Sequence, residues 1–295
     1  MATVSFNDTI FAQEALNAFN AALSPISAFS RNISSEARNK GDAIVVPFIS
    51  ALTAATFNAT SANYQTGGGA VTSNTVNLNQ HNIVTMDLTD IQVANSSGAR
   101  FDAIAAQAGR ALASKVLENI WKVITTSNYG AATVTSSEAS YTLANIIAFR
   151  KQLSLNNVPL DMISCFFNPV VGAALLGSSN VLQAYALGDN SAVRTGSLGK
   201  LVGFDTYETN ILPTASTSLV SFAAHPDAIN LAMRYLAPQD TSMYLAAEQV
   251  SAPNGITMGY RRSFDPAKGI HYGAFECFYG VATGLTLGLV IGTKP

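Results

Sequence analysis

The residue types that carry most protein chemistry are scarce in this sequence and poorly spaced for it. There are three histidines, His81, His225 and His271, and no two stand at the short intervals that let one element present a pair of zinc ligands. Cys165 and Cys277 are the two cysteines. Cys165 lies in the apolar run Ile163-Ser164-Cys165-Phe166-Phe167, and Cys277 between Glu276 and Phe278, so both read as buried, inert thiols rather than nucleophiles. The G-x-S-x-G elbow of a serine hydrolase is absent. Gly196-Ser197-Leu198-Gly199-Lys200-Leu201 lacks both the glycine spacing of a phosphate loop and the Ser/Thr after lysine that would hold magnesium; it reads as a turn leading into a strand. Asp87 and Asp90 flank a strand and Asp102 begins a helix, where solvation or capping explains them better than a carboxylate dyad. Arg261-Arg262, alternating on a strand, point to opposite faces, one open to a polyanion and one to a neighbour, or both to solvent. The sequence therefore predicts no catalytic, cofactor-binding or metal-binding residue, and not an enzyme.

Composition says what the elements are for instead. Of 295 residues, 48% are hydrophobic and only 12% charged, against about 25% in an ordinary soluble domain. Sixteen Lys and Arg face eighteen Asp and Glu, for a net charge of −2. That balance lacks the cation excess of a nucleic-acid reader, and the hydrophobicity is too high for disorder. Two cysteines make no disulfide scaffold. Ser, Thr, Asn and Gln stand where Lys and Glu usually keep a monomer soluble, which points to a surface hidden against other chains. Met1 to Ile10 has no basic region or apolar run of a secretory signal. The most apolar stretch, 280–292, is 13 residues long, short of the roughly 20 a spanning helix needs.

Periodicity orders the elements. Phe11, Ala15, Phe19 and Leu23 predict a helix over 8–23, with Asp8 as its cap and Pro25 ending it. Residues 44–48 read as a short strand or extended arm and 50–73, with Gly67-Gly68-Gly69, as a mobile excursion. Alternation over 74–93 predicts two strands joined near Gln80-His81-Asn82, a ribbon with one edge wet or against another chain. Phe101, Ala105, Ala108, Leu112, Val116, Ile120 and Val123 predict a helix over 98–126, about 40 Å long, capped by Ser96 or Ser97 with Asp102 in its first turn. A second helix covers 142–155, capped by Thr142, with Leu143, Ile146, Ile147 and Leu153 inward. Then come a buried strand at 162–167, a short helix from Asn168-Pro169 through Leu176, and a loop at 177–200. Strands at 201–208 and 219–224, a helix at 227–236, and strands at 241–262 and 270–292 joined by a turn at 264–269 complete the chain. Helices set apart from antiparallel strands make the fold class α+β.

This order resembles the major capsid protein of tailed bacteriophages, the Hong Kong 97-type coat fold. Residues 76–90 (VNLNQHNIVTMDLTD) are similar to the returning strand of that family's extended loop, running into its spine helix. Residues 199–210 (GKLVGFDTYETN) are similar to a recurrent strand of its axial domains, and 261–266 with 278–282 to its closing strands. The resemblance covers most of 40–292. It implies an N-terminal arm at 1–46, an extended β-loop at 47–96, a peripheral domain with a long spine helix at 97–160 and 238–282, and an axial domain at 161–237 and 283–295. It implies an icosahedral shell of pentamers and hexamers in a virion assembled in the host cytoplasm, non-specific contact with packaged DNA, no membrane, and scaffolding, portal and decoration proteins as partners. Phe6, Ile10, Phe11, Phe19 and Phe29 of the arm would contact another subunit, their other reading being packing on their own chain. Tyr64, Gly67, Gly68 and Gly69 would do so from the extended loop. Some relatives weld subunits through a lysine of that loop; 47–96 contains none, so no such cross-link is expected. The arm is short, so a separate scaffolding protein, or none, is expected rather than a fused one. An encapsulin-like cargo shell shares the fold; a surface-layer or tail-tube protein shares the composition but not the long helix.

Overall fold

Helix α1 (Asp8–Ala22) forms where the apolar spacing requires it, and Pro25 follows in a 3-10 turn at Ser24–Ala28. The structure, a computed structural model, describes residues 8–34, 43–49, 71–89, 98–178, 199–213, 218–238, 240, 242–252 and 255–295. Helix α1 lies along α2 (Gly98–Trp121), the long expected helix, whose 24 residues span about 36 Å. The two backbones meet at Gly109, where any Cβ would run into the carbonyl oxygen of Ala15. A one-turn α3 (Thr126–Tyr129) follows, capped by Thr125. The cap expected at Ser96 or Ser97 lies outside the described residues, and Asp102 sits past the first turn, exposed.

Two sheets carry the rest. The first orders β1 (Ser30–Asn32), β10 (Ile229–Arg234), β13 (Ile270–Thr283), β12 (Thr257–Asp265) and β11 (Ala246–Ser251). Strand β4 (Gln80–Thr89) lies on the other side of β13. Phe275, Cys277 and Tyr279 of β13 point into the core with α1 and α2, as alternation demands. The second sheet orders β5 (Val134–Thr135), β14 (Leu289–Thr293), β9 (Leu219–Ala224), β6 (Ser164–Phe167), β8 (Phe204–Glu208) and β7 (Lys200–Leu201). One of its faces meets Trp121 through Phe166 and Phe222; the other is covered by α4 (Leu143–Leu155) and α5 (Pro169–Leu176). All four β6 residues are buried because both faces are covered. A separate ribbon pairs β2 (Ala43–Ile49) with β3 (Val71–Asn77), packing Ile44, Val46 and Val76 on Ala232.

Several expectations need correction. Strands β3 and β4 exist but do not pair with each other: Leu78 and Asn79 pass the chain from the ribbon onto the edge of β13. Residues 229–234 form a strand, not a helix; five of the six are buried, so neither period shows in the sequence. The strand expected at 201–208 is a hairpin, turned by Val202 and Gly203 at φ of 54° and 88°, as a two-residue type I′ turn requires. The Arg150 guanidinium donates to the Val202 carbonyl, where a side chain at position 203 would stand. In α4, Ile147 is exposed and Phe149 takes the inward place given to it; the Thr142 cap holds, closed by Asn145. Strand β10 pairs within the first sheet, β5 pairs within the second, and α4 packs against the second.

Candidate assembly surface

The chemistry-bearing residues do not converge. His81 Nε2 lies 3.1 Å from Glu276 Oε2. His225 accepts from the Asp227 amide at 3.3 Å, ending β9, and His271 sits beside the ring of Phe264. Cys165 and Cys277 are fully buried, and burial pushes both thiols up to about 12, with the nearby Glu276 carboxylate adding to the rise at Cys277. Thiols held protonated at neutral pH are inert, as expected. Among the described residues no three His, Cys, Asp or Glu side chains cluster closely enough for a metal. Lys200 pairs at its turn with Asp205 at 3.5 Å, and Asp87 is an exposed residue of β4, while Asp90 and 196–198 lie outside the described residues.

The arginine pair does alternate, but neither member is left for a polyanion. Arg262 donates from Nε and Nη2 to the two carboxylate oxygens of Asp8, both at 2.8 Å, clamping the start of α1 to β12. Arg261 Nε stands 2.6 Å from Glu276 Oε1, and its Nη2 donates to the Leu236 carbonyl at 2.6 Å. Glu276 is thus a buried carboxylate held between Arg261 and His81, the arrangement a buried charge needs. No local signal marks these pairs: Asp8 and Arg262 are 254 positions apart.

The arm divides sharply. Phe11 packs against Phe101, Tyr260 and Phe275, with ring centroids 6.4, 5.5 and 5.4 Å away. Phe29 packs against Trp121, Phe166 and Phe222 at 5.9, 5.2 and 6.1 Å, and Phe19 is fully buried. Phe11 and Phe19 on α1, and Phe29 beyond it, are thus buried against their own chain. Ile10, on the outer face of α1, is 61% exposed. Phe6, Tyr64, Gly67, Gly68 and Gly69 lie outside the described residues. Val45 on the ribbon and Ile83 on β4 add exposed apolar side chains that the sequence did not single out. A cleft of about 450 Å³ opens beside Trp121, Phe166, Tyr207 and Ile211, with Glu208 as its one carboxylate.

No protein-family model and no curated protein matches this sequence. Solved structures do. A chain of Mycobacterium phage Che8 is similar at 18% identity and TM-score 0.58, over 89% of this chain and 91% of that one. The capsid structure of the Cyanophage P-SCSP1u is similar at 14% identity and TM-score 0.61, over 91% and 86%. The capsid of Ralstonia phage GP4 is similar at 10% identity and TM-score 0.59, over 91% and 89%. This chain therefore has the fold of those phage chains, two of them from capsid structures, the Hong Kong 97-type α+β fold that the order of its sequence elements resembles.

Proposed function

We propose that this chain is a major capsid protein, assembling with copies of itself into an icosahedral shell that encloses a packaged phage genome. The observation that carries the reading is the extent of the likeness: about nine-tenths of this chain and of the phage capsid chains match in structure. The near-balanced charge suits a wall that must lie beside a packaged polyanion without gripping it. Assembly is driven by burial of apolar surface between copies, at roughly 25 cal/mol per Å².

In this reading the protein is a structural component of the virion, built in the host cytoplasm, with no enzymatic step of its own. The segment 47–96 is the extended loop, and Tyr64, Gly67, Gly68 and Gly69 reach over a neighbour. Ile10 and Phe6 are the arm's contacts. Five or six axial domains surround each capsomer axis. Scaffolding, portal and decoration proteins are the further partners. Negative-stain microscopy of the purified recombinant protein tests the reading. Pentameric and hexameric rings or closed shells are expected, and monodisperse monomers at high concentration would overturn it.

A further inference from the structure

Most edges of the two sheets are protected. Strand β1 has three residues, and β5 and β7 two each, too short to recruit a partner. Strand β11 packs against α1, and in the separate ribbon β2 carries Pro47. Strand β4 has none of these devices. It runs for ten residues, paired with β13 from Gln80↔Tyr279 to Thr89↔Ile270 without a bulge, and no described strand covers its other side. It contains no lysine, arginine or proline. None of its residues is buried; half-buried positions alternate with exposed His81, Ile83, Thr85, Asp87 and Thr89. In an antiparallel ladder every second residue turns its N–H and C=O outward, and among the described residues the outward groups of 80–88 meet no backbone partner.

We infer that β4 is a pairing edge for the β4 strand of a second copy, joined antiparallel about a two-fold axis at Val84. This inference rests on the proposed assembly of copies. The register follows from the strand's own residues. Centring the pair on Val84 sets His81 opposite Asp87 of the second copy, and Ile83 opposite Thr85, at both ends of the contact. The strand's basic ring and its one carboxylate thereby meet twice, and the same patch serves both copies, as a two-fold interface requires. Every other centre within the strand separates His81 from Asp87.

The test is oxidative cross-linking of Val84→Cys in assembled particles. Facing Cα atoms in such a pair stand about 4.5–5.5 Å apart, within disulfide reach. The native Cys165 and Cys277 are buried and give no background. A disulfide-linked dimer is expected for V84C and not for Asp87→Cys, which would face His81. The double variant Ile83→Lys, Thr85→Lys, folded as an unassembled chain by circular dichroism, is expected to need at least ten-fold more protein to assemble. Shells of V84C that stay unlinked, or a double variant that assembles as the wild type does, would overturn the pairing and leave the capsid reading standing. A wild-type chain that forms no rings or shells would overturn both.

Discussion

Helix α1 and strand β4 are both short segments that end up on the first sheet, and they use their side chains in opposite ways. Helix α1 has five buried residues in fifteen and is held at its start by the Asp8–Arg262 pair. Strand β4 has ten residues and buries none, although it makes a longer ladder than any other strand pair. Apolar content therefore does not say which segment faces another molecule. Phe11, Phe19 and Phe29 are buried within the chain, while a strand of mixed and mostly polar residues has, among the described residues, no strand along its outer edge.

The comparison can be broken most severely by alkali. Cys165, Cys277 and Tyr279 all have values raised by burial, to about 12 from ordinary values near 9 for the thiols and 10 for the phenol. The folded chain therefore holds these protons more tightly than the unfolded chain does. Their contribution is complete below about pH 9 and is lost as pH climbs toward 12. Thermal melts should be level from neutrality to about pH 9 and fall steeply above it, and β4, with no such group, should not be the cause. A midpoint unchanged at pH 11 would contradict the burial of these groups.

Next in size, Phe29→Ala should cost about 3–5 kcal/mol in urea unfolding of the unassembled chain, because it empties the aromatic cluster of Trp121, Phe166 and Phe222. Asp8→Ala removes two charge-assisted hydrogen bonds and should cost about 1.5–3 kcal/mol, with the first turn of α1 fraying in hydrogen exchange. Smallest of all, Ile10→Ser should leave the unassembled chain within about 0.5 kcal/mol of wild type, since the side chain touches water. Its effect should appear only in assembly. An Ile10 variant as damaging to stability as the Phe29 variant would erase the distinction between the two faces of α1.

Helices α2, α4 and α5 are legible in the sequence because their stops and stripes are local: Asn156 ends α4, and Asn168 caps α5 through the Val171 amide. The order of elements, and with it the fold, is legible for the same reason. What the sequence hides is which strands meet. The ribbon partner of β3 is β2, some thirty residues earlier, and β4 pairs with a strand nearly 200 residues later, matches that no short window contains. Strand β10 is hidden differently, since burial on both sides removes the alternation that would reveal it. Spacing identifies apolar positions on a helix but not which of them a distant sheet will cover, so Phe11, Phe19 and Phe29 looked no different from Ile10.

Strand β13 touches β4 on one side and both β10 and β12 on the other, in a single uninterrupted frame of fourteen residues. Adding one amino acid inside that frame would swing the Glu276 carboxylate into the place of an aromatic ring and break three ladders together. The tight loop just before it, 266–269, closed by Asp265 accepting from the Ala267 amide, bears no such constraint. A foreign peptide carried there should be displayed without disturbing the frame, whereas the same peptide a few positions later should abolish folding.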